Sequence, residues 1–143
     1  MVKIINYTKG NYTITTDKDK IDFDKISSLF SNNYMNYKIT KDILLETLNN
    51  SLCFSIFRGE NQIGFARVIS DYSTFAFLCD VHIDELYRGK GIGTWMLECI
   101  LSYPNLQQLN KWLVNSNEAK DLYEKFGFCS LKNPEKFMEF CLE

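Results

Sequence analysis

Three glycines at alternate positions separate an apolar strand pattern from an amphipathic helix pattern in the middle of this chain. The segment reads Val81-His-Ile-Asp-Glu-Leu-Tyr-Arg-Gly-Lys-Gly-Ile-Gly-Thr-Trp95. Glycine allows a sharp turn and a close approach of the backbone to a ligand, because no Cβ intervenes. The first N–H groups of a helix have no partner within the helix and lie at the positive end of its dipole. This strand–turn–helix junction therefore predicts a site for a phosphate or diphosphate group.

Two cations strengthen that prediction, since Arg88 and Lys90 flank the first of the three glycines. An arginine can bind a phosphate through two parallel hydrogen bonds. A more ordinary interpretation is that the glycines only make a tight turn and the cations lie in solvent. The combination of cations, alternating glycines, a preceding strand and a following helix favours a bound ligand.

Two familiar phosphate-binding motifs do not fit this turn. A P-loop has the pattern G-x-x-x-x-G-K-S/T, and that Gly-Lys ending is missing after Gly89. A dinucleotide fingerprint, G-x-G-x-x-G/A, ends at Thr94 when it is counted from Gly89. No acidic residue ends the next apolar segment, 111–115, where a ribose hydroxyl would be held. The spacing excludes both classes of nucleotide site.

Two segments carry a resemblance to a known family. Arg88-x-x-Gly91-x-Gly93 resembles the diphosphate-binding signature Q/R-x-x-G-x-G/A of the GNAT superfamily of N-acetyltransferases. Segment 117–128 is similar to that family's later A-x-x-L-Y-E-K-x-G-F block, which places a tyrosine at Tyr123. The two blocks come in the family's order, about thirty residues apart. The resemblance covers roughly residues 53–130, while the preceding part matches only in general layout.

Hydrophobic periodicity predicts an α+β fold. Helices are expected over 22–33, from a Thr40 cap onward, and over 91–103 and 117–126, because apolar residues recur there at helical spacing. Strands are expected at 11–16, 53–58, 62–69, 75–83 and 111–115, with one or two more in the tail 128–140. The last helix is expected to end at Gly127. The resemblance implies the same layout, a GNAT-like three-layer domain with a central mixed, mostly antiparallel sheet flanked by helices.

Composition and charge exclude other kinds of protein. A net charge of −2 argues against nucleic acid as the main partner. The chain has no apolar run of about eighteen residues and no N-terminal signal pattern, so a cytoplasmic protein that does not bind membranes is expected. One histidine and no cluster of ligands argue against a metal site. Residues 1–143 are expected to form a single domain.

The resemblance implies an acetyl-CoA-dependent N-acetyltransferase that moves an acetyl group from coenzyme A to a primary amine of a small molecule or a peptide. The glycine turn would bind the coenzyme diphosphate through its main-chain amides, and the preceding strand end would pair with the pantetheine arm. An amide near Val81 would stabilise the oxyanion. The coenzyme-binding residues predicted in this way are Val81, His82, Ile83, Arg88, Gly89, Lys90, Gly91, Ile92, Gly93, Thr94 and Asn115. Asn115 is included because the family often has Asn where this chain has the neighbouring Ser116.

Tyr123 matches the family tyrosine that protonates the departing thiolate, although by pattern alone it is an aromatic residue on the edge of an amphipathic helix. A phenol stays protonated at neutral pH and is therefore a ready acid. For the base, period-two alternation puts Asp80 and His82 on one face together with Ala76 and Leu78. Asp80 is the leading candidate, His82 the second and Asp71 the third. Some family members have no dedicated base and release the proton to water.

The acceptor amine is not named by any motif. Tyr34 and Tyr37 in the loop 31–39, with Asp71 and Tyr72 in a later turn, are candidate substrate-binding residues, and they are equally well explained as ordinary surface residues. A homodimer is suggested by the family and by the apolar segment 137–142, which can also be a core strand. The alternative function is a coenzyme A-binding regulatory or interaction module without turnover.

Overall fold

A computed structural model of the protein describes residues 3–35, 37–116 and 119–140. Its centre is a six-stranded sheet in which the strands follow one another in chain order. Neighbouring strands are antiparallel except the last pair, which is parallel. The strands are β1 (Asn6–Lys9), β2 (Tyr12–Thr15), β3 (Leu52–Arg58), β4 (Asn61–Ser70), β5 (Phe75–Ile83) and β6 (Lys111–Val114). The predicted α+β fold with a mixed, mostly antiparallel sheet is confirmed.

Among the described residues four α-helices flank the sheet, and the first two begin at side-chain caps, of which the one at Thr40 was predicted. The helices are α1 (Phe23–Asn33), α2 (Lys41–Asn49), α3 (Ile92–Leu101) and α4 (Lys120–Lys125). The Asp22 side chain accepts a hydrogen bond from the Lys25 amide at 3.2 Å, and Thr40 accepts one from the Ile43 amide at 3.2 Å. Each cap satisfies one of the amides that a helix start leaves without a partner. No helix within the described ranges is long and apolar enough to cross a membrane.

Two hydrophobic cores lie on the two faces of the sheet. On one face, α1 and α2 pack their buried Ile26, Phe30, Leu44 and Leu48 against Phe65 of the sheet. On the other face lies the larger core, which α3 and α4 cover. It includes Phe54, Ile56, Ala66, Val68, Ala76, Leu78, Met96, Leu97, Ile100, Tyr103 and Tyr123. The predicted three layers are therefore helices, sheet and helices.

The predicted elements differ from the structure most clearly at one missed strand and two helix ends. β1 was not predicted, and it forms a hairpin with β2 through Gly10, whose φ of 58° suits a tight turn. The helix predicted over 91–103 ends at Leu101, and Pro104 opens a short 3-10 turn after it. The helix predicted from position 117 begins at Lys120, while Asn117 and Glu118 lie outside the described residues.

The prediction of strands in the tail is wrong for its described part. Residues 128–140 contain no strand, and their regular element is a 3-10 turn at Pro134–Lys136. Proline cannot donate a ladder hydrogen bond, which explains why a strand does not form around it. The Phe137 ring lies 5.3 Å from Lys111 Nζ beside β6, whereas Met138 is 97% exposed. Positions 141 and 142 of the apolar segment lie outside the described residues.

Candidate active site

β5 loses its neighbour halfway along its length. β6 pairs with β5 only from Phe75 to Leu78, where Leu78 lies opposite Val114. From Cys79 to Ile83 the edge of β5 that faces β6 has no strand partner in the described part of the chain. An open strand edge presents main-chain donors and acceptors to which an extended ligand can bind like an added strand. This open edge is the strand end with which, by the family resemblance, the pantetheine arm is expected to pair.

A bulge interrupts β5 at the start of this open edge. Arg67 is paired with Cys79 and Phe65 with His82, so two residues of β5 lie opposite Ala66 alone. These two residues are Asp80 and Val81. Asp80 has a φ of 53°, which is unusual for a residue other than glycine. A bulge of this kind redirects the side chains and peptide groups that follow it.

The bulge also overturns the predicted alternation. Ala76 and Leu78 point into the core beneath α3 and α4. Asp80 instead contacts Asn33 and Tyr34 at the end of α1, on the opposite face of the sheet. One extra residue reverses the side to which later side chains point, so the placement of Asp80 and His82 with Ala76 and Leu78 was wrong.

The glycine turn follows β5 after a short loop that hydrogen bonds hold in place. The Asp84 amide donates to the Ile63 carbonyl at 2.7 Å, and a 3-10 turn, Glu85–Tyr87, follows. Arg88 Nε donates to the Ile83 carbonyl at 2.8 Å, which leaves its two terminal nitrogens without an acceptor among the described residues. The Tyr87 ring packs edge-on against Tyr12, with centroids 6.4 Å apart.

The amides from Gly89 to Thr94 donate to no other atom of the described chain. The first hydrogen bond of α3 runs from the Trp95 amide to the Gly91 carbonyl at 3.1 Å. Gly89 and Gly91 have φ values of 75° and 81°, which only glycine adopts without strain. A Cβ at either position would meet nothing within 4 Å, so the positive φ, and not a lack of space, is what favours glycine there. Free amides at a helix N-terminus suit a diphosphate.

The third glycine, Gly93, lies beside α4. A Cβ on Gly93 would lie 3.5 Å from Leu122 Cδ2, which is an ordinary contact distance. Gly93 thus faces α4, the helix that carries Tyr123. α3 and α4 therefore lie next to each other at Gly93 and Leu122, and Leu122 directly precedes Tyr123.

Tyr123 lies in the larger core and is 4% exposed. Its ring packs edge-on against Phe128, with centroids 5.7 Å apart. Burial raises the pKa of its phenol above the ordinary value, so the hydroxyl is protonated at neutral pH. Among the described residues the hydroxyl has no hydrogen-bond partner, which leaves its proton available to a ligand.

Ser116, where the family pattern often has Asn, has a local role. Its Oγ accepts a hydrogen bond from the Ala119 amide at 3.1 Å, just before α4. This bond satisfies an amide at the helix start. Asn115 is exposed, so a coenzyme contact through it remains a prediction.

A buried polar network surrounds Asp80. Its Oδ2 lies 2.8 Å from Arg67 Nε, and the two side chains are 4% and 10% exposed. Asp80 also accepts hydrogen bonds from the Tyr34 hydroxyl and from Asn33 Nδ2, both at 3.0 Å. The other guanidinium nitrogens of Arg67 donate to Ser51 Oγ at 3.1 Å and to the Tyr34 oxygen at 3.2 Å. The Asp80 carboxylate is therefore largely occupied by protein donors.

Burial alone would lower the pKa of Arg67, but its hydrogen bond to Asp80 and the neighbouring charges raise that pKa above the ordinary value. Burial, followed by the charge of Asp80, raises the pKa of Tyr34. Arg67, Asn33 and Ser51 were not among the predicted site residues. The signal that could have found Arg67 is a single cation inside the apolar strand 63–69, because a buried charge requires a partner.

His82 lines a cavity of about 370 Å³ between α1 and the β4–β5 hairpin. Its Nε2 lies 3.1 Å from Asp84 Oδ1, and Asp84 Oδ2 lies 3.2 Å from Lys25 Nζ. Lys25 also donates to the Gln62 carbonyl. The residues that line the cavity include Asp24, Lys25, Ser28, Leu29, Asn32, Phe65, His82 and Asp84.

The predicted acceptor-binding residues do not come together. Tyr34 belongs to the Asp80 network, while the Tyr37 side chain is 61% exposed. Asp71 closes the β4–β5 turn, at the end of the hairpin opposite to the glycine turn. It accepts hydrogen bonds from Thr74 Oγ1 and from three amides, those of Ser73, Thr74 and Phe75.

These bonds to Asp71, above all those from Thr74, hold its pKa well below the usual range. A carboxylate so engaged is a poor proton acceptor, which disfavours the third candidate for the base. Tyr72 is half-buried and has a φ of 62°. Asp71 and Tyr72 thus have evident structural roles in the turn.

Comparisons with known proteins agree with this geometry. The model of the acetyltransferase (GNAT) family matches residues 23–128. A curated Gibberella zeae protein named as an acetyltransferase is 28% identical, over 73% of this chain and 72% of its own length. A crystal structure of a Xanthomonas campestris protein described as belonging to the GNAT family has a TM-score of 0.78 at 30% identity, and covers 92% of this chain and 93% of its own.

A further solved structure shares the fold at lower identity. It is a Clostridium acetobutylicum acetyltransferase crystallised with acetyl-CoA, with a TM-score of 0.64 at 18% identity, covering 92% of this chain and 95% of its own. The family model spans the chain from α1 past α4, and it includes the split strand, the glycine turn and Tyr123. On these grounds the protein belongs to the GNAT family of acetyltransferases.

Proposed function

We propose that this protein transfers an acetyl group from acetyl-CoA to a primary amine of a small molecule or a peptide. The observation that carries the proposal is the row of amides from Gly89 to Thr94, which have no acceptor within the described chain and lie at the start of α3. Family membership supports the reaction class. The acetyl-CoA complex of the Clostridium acetobutylicum neighbour supports the donor.

Binding of the donor follows from two features of the chain. The amides of the glycine turn would hold the diphosphate, and the terminal nitrogens of Arg88 and the Lys90 ammonium would add charge. The open edge of β5, from Cys79 to Ile83, would pair with the amide groups of the pantetheine arm. Both contacts would direct the thioester toward the bulge. The thioester would then be held in place for attack and would not have to meet the amine by a random encounter.

The Val81 amide, inside the bulge, is our candidate for the donor to the thioester oxygen. Negative charge develops on that oxygen when the amine attacks, and a positioned amide stabilises it. One such donor contributes about 3 kcal/mol in other acyl-transfer enzymes. Tyr123 would then protonate the leaving thiolate, since its buried phenol is neutral at physiological pH.

The amine must lose a proton, and His82 is the group that the surroundings favour. It lines the cavity beside α1, and Asp84 lies 3.1 Å from its Nε2. With the proton on Nε2 donated to Asp84, Nδ1 is left as the acceptor. Asp80 was the leading candidate by sequence and stays a prediction, although three side chains already donate to it.

The cavity of about 370 Å³ is our candidate for the acceptor site. Its volume suits a small molecule or the end of a peptide. The Asp24 carboxylate in its walls would attract an ammonium group, while Leu29 and Phe65 offer apolar contact. Asp84 also lines the cavity, but its carboxylate is already paired with Lys25 and His82. A regulatory module that binds coenzyme A without turnover remains the alternative, and it is distinguished by the absence of thiol release.

The function is tested by binding and turnover together. We expect coenzyme A and acetyl-CoA, but not ATP or NAD, to raise the melting temperature, since a ligand at about 100 times its Kd adds about 2.7 kcal/mol of stability. Thiol release from acetyl-CoA should depend on an added amine. The Gly91→Ala variant should bind coenzyme A at least tenfold more weakly, because alanine is strained at a φ of 81°.

Gly59→Ala is the matched control. Gly59 also has a positive φ, 61°, and open space at its Cβ, but it lies in the β3–β4 turn. The Gly59→Ala variant should lose a similar amount of stability but keep the wild-type Kd for coenzyme A. Stabilisation by ATP or NAD in preference to coenzyme A would contradict the proposed donor. Donor binding without thiol release over a broad amine panel would favour the regulatory alternative.

Tyr123→Phe tests the proposed acid. Removing the hydroxyl should lower kcat about 10²-fold, the lower end for a general acid, with little change in the Kd of acetyl-CoA. Tyr103→Phe is the control, because Tyr103 is also a buried tyrosine of the larger core. Steady-state thiol release and calorimetric titration measure the two quantities. Wild-type kcat in Tyr123→Phe would remove Tyr123 from the mechanism.

His82→Gln tests the proposed base. Near neutral pH we expect kcat/KM to fall about 10²-fold, because a positioned base contributes roughly that factor. Raising the pH toward the pKa of the substrate amine should restore the activity of His82→Gln, since an amine that is already neutral needs no base. Asp80→Asn is the comparison, and its loss should not recover at alkaline pH. Recovery in Asp80→Asn together with full activity of His82→Gln would reassign the role to Asp80.

A further inference from the structure

We infer that Arg67, together with Asn33 and Tyr34, positions the β5 bulge for catalysis by holding Asp80 in its left-handed conformation. The inference rests on the proposed function, because it concerns the amide that would meet the thioester oxygen. Asp80 is then a positioning residue that acts through its neighbour Val81. It does not touch the reacting atoms.

The first observation is the backbone of Asp80. Its φ of 53° lies in the region that L residues avoid, because the Cβ there crowds the following carbonyl oxygen. Glycine would adopt this conformation freely, and among the described residues only Tyr72 and Asp80 have a positive φ without being glycine. Such a residue persists only where its surroundings determine the conformation.

The second observation is what surrounds the side chain. Three side chains from two elements donate to the Asp80 carboxylate: Asn33 and Tyr34 from the end of α1, and Arg67 from β4. The closest contact is the 2.8 Å pair with Arg67, in which both groups are at least nine-tenths buried. A buried charge pair of this kind is costly to break, because the remaining charge has no partner. The Asp80 carboxylate is therefore held by donors from both α1 and β4.

The third observation is the place of this anchor in the chain. Val81 follows Asp80 directly, and these two residues make up the bulge at the start of the open β5 edge. Fixing the Asp80 side chain fixes the peptide plane that carries the Val81 amide. Misplacement of a catalytic donor by about 1 Å can cost about 10²-fold in rate. The hydrogen bonds from Asn33 and Tyr34 connect the bulge to α1, which forms one wall of the proposed acceptor cavity.

The test compares Asp80→Gly with Asp80→Ala. Both variants lack the carboxylate and leave Arg67 without its partner, and they differ only in the cost of a positive φ. If Asp80 positions the bulge, Asp80→Gly should keep at least fivefold more kcat than Asp80→Ala, with equal KM for acetyl-CoA. If Asp80 is the base, the two variants lose activity equally, and that result would overturn the inference.

A spectroscopic readout separates positioning from mere stability. The carbonyl stretch of protein-bound acetyl-CoA, measured by infrared difference, should lie below the value for free acetyl-CoA in the wild type, because a hydrogen bond polarises the carbonyl. The carbonyl stretch should lie closer to the value for free acetyl-CoA in Asp80→Ala than in Asp80→Gly. The same stretch in both variants and in the wild type would also overturn the inference.

Arg67→Lys provides a second route where the Asp80 variants fold poorly. Lysine keeps the charge but lacks the fork that lets Arg67 reach Asp80, Ser51 and Tyr34 at once. We expect kcat to fall about tenfold with an unchanged KM for acetyl-CoA, and an unchanged kcat would contradict the inference. Thiol release by the wild type tests the proposed function separately, so a failure of either claim can be recognised.

Discussion

The row of unpaired amides at the start of α3 is the constraint on which the active-site account depends. α3 begins at a glycine with a φ of 81°, and the amides from Gly89 to Thr94 find no acceptor in the described chain. Amides that a fold leaves unpaired must be satisfied by water or by a ligand. Their position directly after β5 sets where a bound diphosphate would lie, and so the direction of the chain attached to it.

β5 joins the two sides of the proposed reaction. Its far half has lost β6 as a neighbour and offers main-chain groups to the donor. Its bulge turns Asp80 toward α1, while His82 lies in the wall of the cavity next to that helix. Donor and acceptor would therefore approach this one strand from different directions. The polar groups around Asp80 come from β4, β5 and α1, and the core shared by α1 and α2 packs these helices against the sheet.

Local patterns were predictable from the sequence, and non-local ones were not. The glycine turn, the cap at Thr40 and the β3–β5 meander each depend on neighbouring residues, so short patterns reveal them. The bulge depends on pairing with β4, and one extra residue was enough to reverse the predicted face of Asp80. The single arginine in an apolar strand indicated a buried partner, but not that the partner was Asp80. The tail was misread because its apolar residues suggested strands while the described part forms none.

A crystal structure of the protein with coenzyme A tests the proposed donor site most directly. At least two of the amide nitrogens from Gly89 to Thr94 should lie about 2.7–3.2 Å from diphosphate oxygens. The pantetheine arm should run along β5 beyond Cys79. A diphosphate bound elsewhere, or a glycine turn whose amides contact only solvent in the complex, would contradict it.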